Sequence, residues 1–252
     1  MFDRTGVESF VYYATLLMLF DPGTDSFQDQ QLSDKIRHYF TDDTDELPGS
    51  PSAAQPVLGA SYRFFFFIAD VTRLAVAGDP ASEQSQSRLS ELEQDLGRWE
   101  EIYQQKHDET IQNPLGKLYL LAVRVLLLQA REHHVDSATS KLLTHDLALC
   151  YHSGVNLVTG LQVNPFFTIL YIWPLTVLGS MAMCQADRAV FEETIAALRQ
   201  GGHTGLTTWG LRHLRNIWTQ SQRFPGDPHE RMLSGLRMLI RFSLDGAVLA
   251  PY

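Results

Sequence analysis

The chain has 252 residues, of which 44% are hydrophobic, and it carries 20 Lys+Arg against 29 Asp+Glu for a formal net charge of -9. This length supports one large domain or two small ones. The acidic balance and the dispersed basic residues exclude a nucleic-acid binder of the usual kind, because affinity for that polyanion comes from Lys and Arg that neutralise phosphates.

The chain has two cysteines, Cys150 and Cys184, which lie far apart and form no CxxC pair. This count excludes a structural zinc site built from thiolates. The first residues are typical of a helix start rather than of a secretion signal. We therefore expect a reducing intracellular compartment.

Two predicted helices and a loop open the chain. Residues 5–20 are apolar on all sides, and Asp21-Pro22-Gly23 predicts the end of that helix. Residues 26–40 show an amphipathic helical pattern. Residues 41–56 collect acidic residues, prolines and a glycine, a composition that predicts an acidic, proline-rich loop.

The next four predicted helices alternate between apolar and amphipathic. Residues 57–77 contain four consecutive phenylalanines, Phe64 to Phe67, and a helix that is apolar on every side is buried on every side. Residues 82–106 combine a charged exterior with an inner apolar stripe. Residues 115–133 form another apolar helix, and residues 136–152 are amphipathic.

Residues 164–184 carry no formal charge, and they predict a helix over residues 165–185. This length suffices to cross a bilayer. However, Pro174 interrupts the run, and the companion helix at 57–77 carries Arg63, Asp70 and Arg73, each of which costs a few kcal/mol at a bilayer centre. We therefore predict no membrane span and place both helices at the centre of a soluble domain.

Three further helices are predicted at residues 188–200, 204–222 and 228–245. Few windows alternate apolar and polar residues with the period of a strand. The fold class is therefore all-α, with a single domain of about nine or ten helices packed as a bundle or as stacked helical hairpins.

Charged residues on the apolar helices need an explanation, because an unpaired buried charge is costly. Internal ion pairing is the first interpretation. The second is an anionic ligand that meets a guanidinium in an apolar cavity. On this second interpretation the candidate ligand-binding residues are Tyr62, Arg63, Phe66, Asp70, Arg124 and Trp173.

The titratable residues predict no catalytic site. No nucleophile is placed beside a base, and no HExxH motif occurs. His133-His134 is expected to cap a helix end or lie on the surface, and His145 and His152 to lie at the surface or the edge of the core. The carboxylates of residues 42–46 are expected in a solvated loop. The sequence thus predicts no metal site and no cofactor.

Several segments occur together in a specific order. They are Leu58-Gly59-Ala60-Ser61-Tyr62 leading to Arg73-Leu74-Ala75, Tyr119-Leu120-Leu121-Ala122 followed by Leu126-Leu127-Leu128, Trp173-Pro174-Leu175 with Gly179 and Ala182, and Asp187-Arg188 followed by Trp218. Over residues 7–218 the chain resembles the regulatory domain of fungal-specific transcription factors. That domain is the helical C-terminal region of Zn2Cys6 binuclear-cluster regulators, and the zinc cluster and its basic linker are absent here.

The resemblance implies one regulatory domain over residues 1–252, without a DNA-binding domain. It implies a nuclear role in transcription regulation, through effector sensing or protein contact, in pathway-specific control such as that of secondary metabolism. The expected partners are a small hydrophobic or anionic effector, and a second copy or another protein. Gly235, Leu236 and Leu239 on the last helix are candidate contacts for such association.

A different function stays open at this point. The chain is then a stand-alone protein of a biosynthetic gene cluster, located in the cytoplasm, that uses the same scaffold as a cofactor-free enzyme or binder of a hydrophobic metabolite. A fragment of a longer regulator, a short gene model and a stand-alone relative each account for the missing cluster. A purely structural interaction protein is the third interpretation.

Overall fold

A computed structural model describes residues 4–20, 25–41, 62–76, 82–105, 114–132, 137–162, 169–199, 204–223 and 228–244. These residues form ten α-helices and no strand, which confirms the all-α prediction. The helices are α1 Arg4–Phe20, α2 Gln30–Thr41, α3 Tyr62–Val76, α4 Glu83–Gln105, α5 Pro114–Glu132, α6 Ser137–Thr159, α7 Ile172–Ser180, α8 Gln185–Leu198, α9 Thr204–Ser221 and α10 Pro228–Leu244.

Most predicted helices agree with the observed ones within a few residues. The predicted loop over residues 41–56 lies outside the described residues, except for Thr41 at the end of α2. Helix α6 differs, because it continues beyond His152 to Thr159. Its last turns contain Gly154, where a Cβ atom would lie 3.1 Å from a methyl group of Leu178, so packing against α7 outweighs the weak helix propensity of this segment.

The helix predicted over residues 165–185 is wrong in length, because α7 spans only Ile172–Ser180. A 3₁₀ turn at residues 169–171 precedes it. Pro174 is the third residue of α7, where a backbone N–H has no intrahelical acceptor. In a helix that began at residue 165, the Pro174 ring would instead clash with the carbonyl of Leu170.

Helix α7 lies at the centre of the molecule, and all nine of its residues are buried. Helices α5, α6, α8, α9 and α10 pack against it, whereas α1 packs against α3 and α10. One connected hydrophobic core reaches from Val11 on α1 to Ile240 on α10. The aromatic run of α3 is buried in it, as predicted. Within the described residues, no helix combines the length and the apolar character that a membrane crossing needs.

Helix α10 approaches the end of α7 closely at Gly235. A Cβ at this position would lie 2.0 Å from the carbonyl oxygen of Ser180. Leu236 and Leu239 on the same helix are fully buried. These three residues therefore pack inside the chain, and the expectation that they contact another molecule is wrong.

Candidate functional site

An aromatic pair occupies the centre of the fold. Trp173 on α7 stacks on Tyr119 of α5, with ring centroids 5.5 Å apart and ring planes 9° from parallel. Two hydroxyls bind the turn before α7: Tyr119 donates to the carbonyl of Leu170 at 2.8 Å, and Tyr12 of α1 donates to the carbonyl of Ile169 at 2.7 Å. The site thus joins α1, α5 and α7.

Pro174 explains the hydrogen bond from Tyr119. In a continuous helix the carbonyl of Leu170 would accept from the N–H of residue 174, and proline has none. The hydroxyl of Tyr119 supplies the missing donor. Burial, together with Tyr119, raises the pKa of Tyr12 well above its usual value. Tyr12 is therefore a neutral hydrogen-bond donor rather than an acid or base.

Trp173 retains one unused polar atom. The side chain is fully buried, and its Nε1 atom has no hydrogen-bond partner among the residues that the structure describes. A buried donor without an acceptor costs about 1–3 kcal/mol. This indole N–H is therefore a point at which an acceptor atom would bind favourably.

Three of the other predicted ligand-binding residues, Arg63, Phe66 and Asp70, lie on α3 with described side chains. Arg63 is exposed. Phe66 is buried, and its ring centroid lies 5.0 Å from that of Phe27. The guanidinium of Arg37 lies over the Phe66 ring, 4.5 Å from the ring centroid. Tyr62 begins α3, but its side chain lies outside the described residues.

Asp70 is part of a network of ion pairs. It binds Arg73 at 2.7 Å and Arg88 of α4 at 2.8 Å, and Arg73 also binds the buried carboxylate of Asp25 at 2.7 Å. Burial lowers the pKa of Arg73, but Asp25 and Asp70 raise it by more, so the guanidinium stays charged. Ion pairing, the first interpretation of these charges, therefore describes Asp70.

Arg124 is also paired, with Glu100 of α4. Its positive charge lies close enough to Cys150 to oppose the upward shift that burial imposes on the pKa of that thiol. In the described contacts, Trp173, Phe66, Asp70 and Arg124 therefore each have different neighbours, and none of these contacts joins any two of them. A ligand-binding role for the six residues stays a prediction.

A second polar cluster lies at the corner between α7 and α8. The Nε–H of Arg188 donates to the carbonyl of Ala182 at 3.1 Å, and its guanidinium lies 5.7 Å from the ring centroid of Trp218. The indole N–H of Trp218 donates to the carbonyl of Gly179 at 2.8 Å. Arg188 and Trp218 therefore bind the backbone at the C-terminal end of α7.

The start of α8 adds a thiol and a carboxylate to this corner. The sulfur of Cys184 accepts the backbone N–H of Asp187 at 3.4 Å and so caps the helix. The carboxylate of Asp187 accepts the hydroxyl of Tyr151 at 2.6 Å. Burial and this carboxylate both raise the pKa of Tyr151, so the phenol remains protonated.

A comparison with known protein families identifies the family of this chain. The family model described as the fungal specific transcription factor domain matches residues 13–230, which is most of the chain. The chain belongs to this family. No curated protein and no solved structure gives a significant match. Membership supports a regulator-like role for this fungal transcription factor domain.

The residues that carry the resemblance meet in space in the fungal transcription factor domain. Trp173 and Pro174 form the first turn of α7, Gly179 binds Trp218 through its carbonyl, and Ala182 binds Arg188. Residues up to 45 positions apart thus form one structural unit around α7. Sequence order identifies them, but their mutual contacts follow only from the packing of α8 and α9.

Sequence reasoning missed Tyr12. Tyr12 lies in an apolar run without any polar pattern that would single it out. The spacing of Arg212, His213 and Arg215 predicts a solvated helix face, which is wrong for His213, because its side chain is buried. His213 on α9 is buried, stacks on Trp209 at 5.1 Å between centroids, and has a pKa lowered to about 4 by burial. Phe20 on α1 also contacts Trp209 and His213 on α9. Because this contact joins two helices that are far apart in the sequence, no local pattern predicts it.

The remaining titratable residues agree with their surface assignment where the structure describes them. His145 and His152 on α6 are exposed, as expected. His133, His134 and the acidic residues 42–46 lie outside the described residues. In the described part of the chain, no three His, Cys, Asp or Glu side chains are grouped so as to hold a metal ion.

Proposed function

We propose that this chain is the effector-sensing module of a transcription regulator and acts in the nucleus in pathway-specific gene control. The family match over residues 13–230 supports the regulatory role. Secondary metabolism is the class of pathway that the resemblance favours. Recognition would centre on Trp173, with a small and mainly apolar effector.

The unused indole N–H of Trp173 is the observation that carries the sensing role. It is a directional donor inside an aromatic environment that includes Tyr119. A few polar groups in an apolar lining are typical of small-molecule sites, because the polar groups fix the orientation of the ligand. An effector with a carbonyl or hydroxyl oxygen would satisfy the donor.

Burial of Trp173 couples effector binding to a conformational change. The side chain has no exposed surface, so an effector reaches it only in a conformation in which neighbouring helices have moved. A ligand that binds one conformation more tightly shifts the population toward it. Because five helices pack on α7, this shift would reach the surface through α8, α9 and α10.

A reporter assay tests the proposed role. The chain is fused to an unrelated DNA-binding domain, and expression of a reporter gene is measured in a fungal host across growth conditions. We expect expression to depend on conditions with the native chain and to lose that dependence with Trp173→Phe, which keeps an aromatic ring on Tyr119 but removes the indole N–H.

Trp99→Phe is the matched control. Trp99 on α4 is half-buried against Phe64, so the same chemical change is made at a distance from α7. The control should respond like the native chain. Reporter expression at the level of the DNA-binding domain alone, under every condition, would contradict the regulatory role. An equal response of Trp173→Phe and the native chain would contradict sensing at Trp173.

A further inference from the structure

We propose that Arg188 and Arg231 form an oxyanion-binding site at the corner between α7 and α8. The ligand class is a carboxylate or phosphate group, carried by a small molecule or free in solution. This site is separate from the aromatic centre at Trp173, and it does not depend on the sensing role proposed above.

Arg188 combines a buried side chain with the lack of a carboxylate partner among the described residues. It is 8% exposed and is the one arginine with a buried side chain in the described part of the chain. Several arginines that are more exposed form ion pairs, for example Arg73, Arg124 and Arg237. No carboxylate of the described residues pairs with Arg188, although a buried charge has the greatest need of a counterion.

The hydrogen bonds of Arg188 leave most of its donors available. A guanidinium carries five N–H groups in a planar fork. In the described structure, Nε–H binds the carbonyl of Ala182, and the terminal nitrogens make no hydrogen bond. The neighbouring carboxylate, Asp187, is directed to the hydroxyl of Tyr151 instead. The carbonyl end of α7 offsets part of the charge but cannot occupy the fork.

Arg231 brings a second positive charge to the same place. It precedes Gly235 by one helical turn, and Gly235 contacts the carbonyl of Ser180 at the end of α7. Burial lowers the pKa of Arg188, and the charge of Arg231 lowers it further, in agreement with this placement. Arg231 is exposed and has no ion pair with the described carboxylates.

Two like charges without a counterion repel each other, and the repulsion is stronger where water is partly excluded. An oxyanion that accepts hydrogen bonds from both guanidinium groups would remove the repulsion and use the free donors. Charge-assisted pairs of this kind are often bidentate, and guanidinium geometry matches carboxylate and phosphate equally well.

Nuclear magnetic resonance on the full chain tests the site with inorganic phosphate as the probe. The indole N–H resonance of Trp218, which lies beside Arg188, is followed at constant ionic strength up to roughly 50 mM phosphate, a range in which even a millimolar site saturates. We expect a saturable shift. A parallel titration with acetate shows whether a carboxylate is bound as well as a phosphate.

Arg231→Gln and Arg199→Gln form the matched pair of variants. Both residues are exposed and both changes remove one positive charge, but Arg199 lies at the opposite end of α8. Arg231→Gln should weaken phosphate binding roughly tenfold, because one charge-assisted hydrogen bond is lost, whereas Arg199→Gln should bind like the native chain. Arg188→Lys, which keeps the charge but loses the fork, should also weaken binding while the helical circular dichroism is retained.

Either of two results would overturn the proposal. The first is the absence of a saturable shift with both phosphate and acetate. The second is equal affinity of the Arg231→Gln and Arg199→Gln variants for phosphate, which would show that phosphate binding depends on net charge and not on a specific site.

Discussion

At the start of α7, a tyrosine hydroxyl compensates for a proline. The carbonyl of Leu170 loses its helical donor because residue 174 is proline, and the hydroxyl of Tyr119 occupies that place at 2.8 Å. The hydroxyl of Tyr12 binds the preceding carbonyl, of Ile169. These bonds hold the turn that orients Trp173 toward Tyr119.

Removing the Tyr119 hydroxyl should therefore destabilise the whole domain. Tyr119→Phe leaves the carbonyl of Leu170 buried without this donor, and we expect a loss of roughly 1–3 kcal/mol in the free energy of unfolding. Urea denaturation followed by circular dichroism measures it. Tyr13→Phe is the control, because Tyr13 follows Tyr12 on α1 but has an exposed side chain. Loss of its hydroxyl should change the free energy of unfolding by less than about 0.5 kcal/mol. Equal losses in both variants would contradict the role of this hydroxyl.

His213 makes stability depend on pH. Burial lowers its pKa to about 4 from the ordinary value of 6.5, so the unfolded chain binds a proton that the folded chain rejects. This contribution to stability is complete above about pH 6.5 and is lost as the pH falls toward 4. Between pH 7 and 4.5 we expect a loss of roughly 2–3 kcal/mol from this group.

The difference between two variants isolates the histidine from other titrating groups. The pH dependence of unfolding should become weaker in His213→Gln, whereas His152→Gln, at an exposed position on α6, should keep the native dependence. An unchanged slope in His213→Gln between pH 7 and 4.5 would refute the assignment.

The sequence correctly predicts those helices in which the local residue pattern and the tertiary packing favour the same structure. The Phe64–Phe67 run predicts a buried helix, and the spacing of Asp70 and Arg73 places them on one helix side, where they form an ion pair. The pairing of Arg124 with Glu100 is not predictable, because it joins α5 to α4 across 24 positions. Pro174 explains why α7 begins late, but the hydrogen bonds that hold the turn before it come from Tyr12 and Tyr119 on distant helices and are not predictable from the sequence.

Close contact between α10 and α7 requires the absence of a side chain at position 235. A Cβ there would lie 2.0 Å from the backbone oxygen of Ser180, and a backbone atom cannot rotate away as a side chain can. We expect Gly235→Ala to lower the free energy of unfolding by roughly 1–3 kcal/mol through forced separation of the two helices. Thermal and urea denaturation provide the measurement.

Gly97→Ala should change the free energy of unfolding in the opposite direction, and it serves as the control. Gly97 lies within α4, and no heavy atom outside its own helix backbone and its chain neighbours lies within 4 Å of its Cβ position. Alanine there should stabilise the chain by roughly 0.5–1 kcal/mol, because it restricts the unfolded state and favours the helix. A stabilising Gly235→Ala would mean that α10 does not pack on α7 as described.

For the molecule as a whole, the described helices share one core with α7 at its centre. Buried residues from α1 to α10 belong to a single connected cluster, and five helices contact α7 directly. Ion pairs add surface links, such as Arg131 with Glu93 and Arg237 with Glu132, but exposed pairs of this kind contribute at most about 1 kcal/mol each. The core, rather than the charges, therefore determines whether the chain unfolds in one step.

A single domain over residues 1–252 stays a prediction, and the cooperativity of unfolding tests it. Trp99 on α4, Trp173 on α7 and Trp218 on α9 report on three different parts of the core. If the core is one unit, urea transitions followed by tryptophan fluorescence and by far-ultraviolet circular dichroism should coincide. Variants that keep one tryptophan at a time, with phenylalanine at the others, should share that midpoint once corrected for their own stability. A lower midpoint for Trp99 than for Trp218 would instead divide the chain into an N-terminal unit of α1 to α5 and a separate unit around α7, and would contradict the one-domain prediction.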